Sequence, residues 1–470
     1  MKKTDVLIVG AGLLGCFTAR NLMRFDISVT VLEKEDDVCR GISRANTGII
    51  YSGYDNRPGS EKHKLCVQAN EDLDRLCREL EVPFSRPGSL MTGYGPKADA
   101  VIARKYRDGV EGGVKGLRLL SGREAEAMEP ALAKGITSAL YSPETGTLDP
   151  WELCIAAYEN AADNGAEFVF DCCVTDMKRK DDGFVVETER GTYFAKAVVN
   201  AAGLSSDKVR EMTEAPLIRL YPTAADYIVL DKAAGSAVGH IILHEGEDGK
   251  GLTIVPTVDG NLLIGPTNRD VPENESQECA MKTERAGLDL LKELCAGVAP
   301  GIDMSLQIRT FGSLRPDPYY VTASGGRVQK KDESIKDIRI IEEEGLISLI
   351  GIKTPGLTFS NELGKMVAER AAACAGRTQI NEEFDPHRKA ILRARDLSEE
   401  ERAKLIFQDS GYGEVICPCM DVTRAEILKA VQRGAKDFES VKRRTGAGFG
   451  RCQGSRCRRR IMDITAKGCD

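Results

Sequence analysis

No run among the 470 residues is apolar for long enough to cross a bilayer, so a membrane-spanning helix is not expected. Only Met1 to Thr4 precede the first strand-like run, so a leader peptide is not expected. Positive charge is not in surplus: 65 Lys and Arg face 72 Asp and Glu, for a net −7. General nucleic-acid binding is therefore not expected. A disulfide framework is not expected either, because fifteen cysteines occur without a secretion signal. They read as reduced thiols of a cytosolic protein, with room for a metal site. Most stand singly in helical or strand patterns, and Cys16, Cys66, Cys77, Cys154, Cys295 and Cys374 read as small buried hydrophobes.

What is there is an ordinary globular composition, 42% hydrophobic and 29% charged, and length for two or three domains. The charge is unevenly spread. From Cys417 to Asp470 thirteen Lys and Arg face six Asp and Glu, so a basic C-terminal module follows an acidic body.

The first thirty-three residues organise the rest. Asp5–Val9 reads as a buried strand, and Gly10-Ala11-Gly12-Leu13-Leu14-Gly15 follows at once. A helical pattern from Cys16 to Arg24 leads to a second strand, Val29–Leu32, that ends on Glu33. This strand–turn–helix–strand context makes the Gly-x-Gly-x-x-Gly match a dinucleotide site. Gly10 allows the tight turn, Gly12 lets backbone approach a pyrophosphate, and Gly15 lets the helix pack on the strand. Free N–H groups at the helix start suit phosphate. Glu33 suits a ribose and disfavours a 2′-phosphate. A glycine-rich turn without a ligand is the alternative.

Arg40 to Gly53 is rich in small and polar residues, and Ser43, Arg44 and Asn46 suit phosphate and ring edges. An amphipathic helix follows Gly59-Ser60-Glu61, with Leu65, Ala69, Leu73, Leu76 and Leu80 on one face. Asp149 is placed to cap a helix that starts at Pro150 and runs through Ala162. Short strands are expected at Phe168–Met177, Gly183–Glu189 and Thr192–Phe194, then a buried strand running into Asn200-Ala201-Ala202-Gly203. Leu217–Leu230, His240–Val255 and Gly260–Gly265 read as strands of an antiparallel sheet, with a helix over Glu278–Val298. A sheet between the halves of a nucleotide fold implies an inserted substrate domain. Strands Ile338–Ile341 and Leu346–Ile350 precede a loop, Gly351 to Thr358, and a helix over Asn361–Ala375.

Four cysteines stand apart near the end of the chain: Cys417 and Cys419, then Cys452 and Cys457 after two short helices. Thr423 with Glu426 forms a capping box for the first helix and Gly434 stops it, while Asp437 caps the second. Four thiolates on two loops suit a tetrahedral zinc or a [2Fe–2S] cluster. Gly446 to Gly450 is not a second nucleotide site, because no strand precedes it. Arg451, Arg456, Arg458, Arg459 and Arg460 surround Cys452 and Cys457 and suit an acidic partner, or the acidic body of the same chain.

Glu33-Lys34, the Asn46-Thr47-Gly48-Ile49-Ile50 loop and Pro58-Gly59-Ser60 resemble the start of the D-amino-acid-oxidase-type flavoproteins. The likeness is greatest to the glycerol-3-phosphate dehydrogenase and L-2-hydroxyglutarate dehydrogenase branch. It implies FAD, with contacts from Gly10, Gly12, Leu13, Leu14, Gly15, Glu33, Lys34, Ser43, Arg44, Asn46, Thr47, Gly48 and Ile49. It implies further contacts from Val174 near the adenine, from Ala201, Ala202 and Gly203, and from Gly356, Leu357 and Thr358 at the flavin's pyrimidine edge. Arg315 matches the family arginine that faces the substrate anion, with Arg309 a weaker match; Lys353 resembles the lysine near the substrate phosphate in glycerol-3-phosphate dehydrogenases. Tyr51 stands where the branch usually has a histidine. The closing cysteines resemble the bacterioferritin-associated-ferredoxin-like [2Fe–2S] domain, with zinc as the alternative.

The fold class expected is thus α/β plus α+β. A Rossmann-like FAD-binding domain (about 1–85, 141–215 and 330–385) carries an inserted antiparallel-sheet substrate domain (about 86–140 and 216–329). A linker, 386–410, leads to a small helical [2Fe–2S] domain, 411–470. The function expected is a cytosolic dehydrogenase that oxidises a small anionic secondary alcohol, sn-glycerol 3-phosphate, using Tyr51, Arg315 and Lys353. Its electrons pass through the cluster to a reductase subunit or quinone system. An L-2-hydroxy-acid or amino-acid oxidoreductase, and an electron-transfer subunit without its own substrate, are the alternatives.

Overall fold

Lys2–Val9 is the central strand of the first sheet, parallel to Val29–Leu32 on one side and to Gly191–Asn200 on the other. The structure, a computed structural model, describes residues 1–245, 251–328 and 333–468. Glu167–Val169 extends the sheet beyond Val29–Leu32, and Leu346–Leu349 joins the end of Gly191–Asn200, both in parallel. Alternate residues serve opposite faces. Val6 and Ile8 point into a core shared with helices Leu13–Leu22, Pro150–Asp163 and Ser360–Cys374, while Leu7 and Val9 meet Met177, Phe184 and Val186 from the antiparallel ribbon Val174–Lys180 and Gly183–Thr188. Burial on both faces is why the strand reads as an unbroken apolar run.

The chain leaves this sheet twice, and the excursions build one second sheet. The first supplies Ser89–Gly93, Arg118–Ser121 and Ser138–Ser142. The second supplies Thr223–Leu230, Ile241–Glu245, Leu252–Pro256, Leu262–Gly265, Arg269–Asp270 and Gln307–Arg315. All its pairs are antiparallel except Ser89–Gly93 with Ile241–Glu245, where the excursions join. The expected single strand His240–Val255 is therefore two paired strands, with 246–250 outside the described residues. The expected boundary at 329–330 also falls outside them.

Other elements depart from the sequence reading. The helix expected over Glu278–Val298 is two helices, Gln277–Ala280 and Arg285–Val298. The break lets the Met281 carbonyl press on Gly312, where a Cβ would come within 2.1 Å of it. It also lets the Glu284 N–H donate to Asp226 at 3.2 Å. The expected strand Thr192–Phe194 is the first part of the ten-residue strand Gly191–Asn200. Cys16, Cys66, Cys77, Cys154 and Cys295 are buried as expected, but Cys374 is exposed at the end of its helix, 3.7 Å from Glu342.

The stretch 386–410 is strapped down. Arg388, its side chain 2% exposed, donates to Glu159 at 2.7 Å and to Glu152 at 2.8 Å. Helix Glu399–Gln408 follows, closed by a capping box between Ser398 and Glu401. The last module pairs Val415–Cys417 with Val422–Thr423 and packs helices Arg424–Gln432, Phe438–Thr445 and Arg458–Gly468 around Ile416, Val422, Ile427, Val441 and Ile461. The third helix is additional to the expected two; it opens on three arginines, and Ile461 and Thr465 are the residues of its turns that are buried.

Candidate functional site

The glycine turn is built by close backbone approach. Gly10 has φ +102°, and a Cβ there would lie 2.7 Å from the Ala201 carbonyl oxygen. A Cβ on Gly15 would lie 1.9 Å from the Gly10 carbonyl oxygen, so the helix can start where it does only with glycine. Helix Leu13–Leu22 has Gly12 as N-cap and no side-chain cap; the Ser43 hydroxyl accepts from the Leu13 N–H at 3.1 Å. Glu33 braces the turn, accepting from the N–H of Ala11 at 2.7 Å and of Glu35 at 2.9 Å. Burial lifts its carboxyl above the ordinary value against those two bonds. Ala201 continues the central sheet by donating to the Val9 carbonyl at 3.0 Å, and Gly203, at φ +57°, faces open space. Val174 lies at a bulge of the ribbon's edge strand. Lys34 sits on the surface, 60% exposed and 3.4 Å from Glu35.

Two distant loops meet at Tyr51. Its backbone N–H donates to the Thr358 hydroxyl at 3.0 Å, and that hydroxyl reaches the Ile49 carbonyl at 3.4 Å. Asn70 fixes the Tyr51 carbonyl at 3.0 Å. Helix Ser360–Cys374 starts just beyond, again without a side-chain cap. Tyr51 packs against the buried cluster that contains Tyr227, which is stacked on Phe311 with centroids 4.6 Å apart. Burial, aided by the charge of Asp55, pushes the Tyr51 phenol well above its ordinary value, although Thr47 and Arg315 oppose this. Arg315 hydrogen-bonds Tyr227 and reaches Asn268 at 3.0 Å and the Thr267 carbonyl at 3.3 Å. The structure thus brings Tyr51, Tyr227 and Arg315 together. The four histidines are engaged elsewhere: His63 on the carbonyls of Gly53 and Gly112, His240 on Glu129, His244 on Thr92 and His387 on Asp385.

Lys353 belongs to a neighbouring charged group. It pairs with Asp317, two residues beyond Arg315, and lies 3.5 Å from the Ser334 hydroxyl, which Lys336 meets at 3.0 Å. Lys62 stands beside them. Burial first, and then Lys353, lowers its ammonium to about 8, with Asp337 opposing. Sequence reasoning missed Lys62, because Glu61-Lys62-His63-Lys64 reads as a solvated first helical turn.

A cavity of about 590 Å³ opens between three bodies. Arg44, Asn46, Thr47 and Gly48 line one side, and Arg309 to Leu314 another. Met420, Arg443, Phe449 and Gln453 of the cysteine module form a third wall. Trp151, held by a bond from its indole N–H to the Arg44 carbonyl at 2.9 Å, stacks on Phe449. Arg309 faces this wall, 3.5 Å from Gln453 and 5.9 Å from the Phe449 ring centre. The module is anchored by Asp37, which takes Arg444 at 2.7 and 2.8 Å and Arg443 at 2.6 Å; Arg433 adds Glu159 at 3.0 Å. Burial alone would raise the Asp37 carboxyl, yet the guanidiniums hold it below the ordinary value. The basic module therefore docks on the acidic body of its own chain.

The four terminal cysteines converge. Cys419 pairs with Cys452 and Cys417 with Cys457, and all four thiols sense one another. The Gly448 N–H donates to the Cys417 sulfur at 3.4 Å. A Cβ on Gly450 would come within 2.5 Å of the Cys419 Cβ, so the two cysteine loops touch. The thiols stand as two close pairs; among the described residues no three side chains form a closed metal shell. The expected capping box of Thr423 and Glu426 and the Asp437 cap are both present.

Residues 5–370 match the family model described as FAD dependent oxidoreductase, of the DAO type. The chain belongs to the DAO-type FAD-dependent oxidoreductases. Residues 415–467 match the BFD-like [2Fe-2S] binding domain. The flavoprotein is 36% identical to a glycerol 3-phosphate dehydrogenase of Caloramator mitchellensis, over 98% of this chain and 94% of that protein. It is 24% identical to the anaerobic glycerol-3-phosphate dehydrogenase subunit A1 of Haloferax volcanii, over 99% and 83% of the two chains. Its fold is similar to that of the FAD-bound L-alpha-glycerophosphate oxidase of Mycoplasma pneumoniae, with TM-score 0.74, 21% identity, and 83% and 99% of the two chains covered.

The DAO-type flavoprotein takes FAD, and its residues fit that group. The helix start after Gly12, where only the Leu13 N–H meets a side chain (Ser43), the carboxylate at Glu33 and the open backbone at Gly203 fit a dinucleotide. Four converging cysteines on two loops fit the [2Fe–2S] cluster of the C-terminal domain. Among the described residues no helix is long and apolar enough to cross a membrane.

Proposed function

We propose that this chain oxidises sn-glycerol 3-phosphate to dihydroxyacetone phosphate and delivers the electrons through its cluster to a partner, a reductase subunit or a quinone system. FAD on the Gly10–Gly15 cradle would supply the acceptor for the substrate's hydride, with the hydroxyl proton released to water, and the [2Fe–2S] group would carry the electrons singly. The chain's own residues do the rest. Arg315 offers a planar fork to the phosphate. Lys62, Lys336 and Lys353 around Ser334 add positive charge, only partly offset by Asp317 and Asp337. Tyr51 keeps its proton at neutral pH and donates a hydrogen bond to a substrate oxygen, held in place by Thr358 and Asn70. Stacked Tyr227 and Phe311 give that oxygen an apolar wall. A cytosolic location suits the fourteen cysteines that stand outside any disulfide among the described residues.

The observation that carries the reading is the cavity whose walls come from the nucleotide loops, the second sheet and the cysteine module together. The likeness to the Caloramator dehydrogenase across both modules supports it. The test is turnover with an artificial electron acceptor. Glycerol 3-phosphate is expected to turn over and L-2-hydroxyglutarate is not. The reverse result assigns a 2-hydroxy acid instead. No turnover with either, in protein carrying both groups, assigns an electron-transfer subunit.

A further inference from the structure

Much of the cysteine module's basic charge is satisfied within its own chain. Arg443 and Arg444 are buried on Asp37, Arg433 meets Glu159, and Arg460 meets Glu414 at 2.8 Å. A second set is left facing solvent around Cys452 and Cys457. Arg456 and Arg459 are exposed and make no ion pair among the described residues. Arg451 is 69% exposed but pairs with Asp231 at 3.5 Å. Arg458 is exposed and rests on the Phe438 ring at 5.2 Å, with no carboxylate.

These arginines sit close to the redox site in the chain. Arg451 directly precedes Cys452, and Arg456 and Arg458 flank Cys457. The Arg456 backbone N–H also bonds the Cys452 thiol. On helix Arg458–Gly468, Met462 is four residues after Arg458 and three after Arg459, so it shares their face. Its side chain is 51% exposed, whereas Ile461 and Thr465 hold the buried face. Asp463 is the single acidic residue beside them on that helix. Arg458 and Arg459 thus share a face with one exposed, polarisable apolar side chain, and Arg451 and Arg456 stand beside the cysteines. Arginine and methionine are enriched in protein interfaces, and complementary charge speeds encounter. An anionic lipid surface calls for several apolar anchors, and this face has one.

We propose that this face docks an acidic one-electron carrier protein and is where electrons leave the chain. The inference rests on the proposed function, which puts a cluster on the four cysteines. Two electrons leave each alcohol, so two carrier molecules are reduced in turn, one electron each, and no atom is transferred at this surface.

The test uses the full-length holoprotein, reduced with dithionite so that the substrate assignment does not enter. An oxidised acidic ferredoxin is the probe carrier and basic cytochrome c the control. Electron transfer to the ferredoxin is expected to slow roughly tenfold or more between low and high salt. The double variant R456E/R459E is expected to slow it by a similar factor and to speed transfer to cytochrome c, with the cluster spectrum and potential unchanged. A binding titration of oxidised ferredoxin against the parent and the variant gives a second readout. Rates and binding indifferent to salt and to the variant overturn the proposal, leaving the arginines as compensation for cluster charge. Binding to anionic vesicles that the variant abolishes, with ferredoxin unaffected, overturns it in favour of a membrane. A missing cluster spectrum before any carrier is added defeats the proposed function instead. The titration on cluster-free chain still reads the surface in that case.

Discussion

Trp151 and Phe449 stack with ring centroids 4.7 Å apart and planes within 5°. One belongs to the nucleotide-binding body and the other to the cysteine module, three residues before Cys452. Both line the cavity. Lys442, 4.6 Å from the Phe449 ring centre, adds a cation to the stack. The junction between the two redox modules therefore combines an aromatic stack with charge.

That contact has a built-in reporter, because Trp151 is the only tryptophan. F449A is expected to shift its fluorescence to the red as water reaches the indole. The loss of docking stability is expected to be about 1 kcal/mol beyond the area lost. Flavin reduction by substrate should keep its rate, while cluster reduction slows. An unchanged emission spectrum would place the stack outside the docked state.

Asp37 holds the module by a buried double pair, with Arg444 1% and Asp37 4% exposed in their side chains. D37N leaves two guanidiniums short of a partner and should cost about 3–5 kcal/mol, read from denaturant unfolding. Acid should act in the same direction. The folded carboxyl titrates below its ordinary value, so its contribution is complete above about pH 4 and is lost as pH falls through the lower folded value. A stability profile that is level down to pH 2 would contradict this.

Lys62 sets an alkaline limit. Its ammonium is lowered to about 8, so its charge is lost as pH rises through that value. The kcat/KM for an anionic alcohol should then fall above about pH 8. K62R, charged throughout, should carry the fall to higher pH, and K62M should remove that limb with a raised KM. Protein stability should move the other way, rising from about pH 8 to 10.5 as the unfolded chain gives up the proton held there.

Arg315 and Tyr51 should separate in kinetics. R315A removes charge-assisted hydrogen bonds worth about 1.5–3 kcal/mol, roughly ten- to a hundredfold in kcat/KM. Y51F removes one neutral hydrogen bond and should cost about tenfold or less, without altering the pH profile, because the phenol stays protonated. Loss in Y51F of a pH limb that the parent shows would make Tyr51 a proton acceptor after all.

Short-range logic made much of the molecule readable. The glycine turn, the Asp149 and Asp437 caps and the Thr423–Glu426 box are each settled within a few residues, and the structure contains them. The parts that could not be read are those settled across the chain. Asp37 and Arg444 are 407 positions apart, and nothing local marks either as an anchor. Lys62 looks like an ordinary helix-start lysine until Lys353 and Lys336 are folded against it. Cys374 has the helical spacing of a core residue, but its helix ends there and turns it outward. Arg388 sits in a charged stretch that reads as a tether, and two buried glutamates far back in the chain make it a strut.

The most direct test of the two-module relay is a single anaerobic mixing experiment that follows flavin and cluster absorbance together. On adding glycerol 3-phosphate, the flavin band should bleach first and the cluster band should follow in the same molecule, at a rate independent of protein concentration. A flavin that bleaches while the cluster stays oxidised, or a cluster that responds only in proportion to protein concentration, would contradict it.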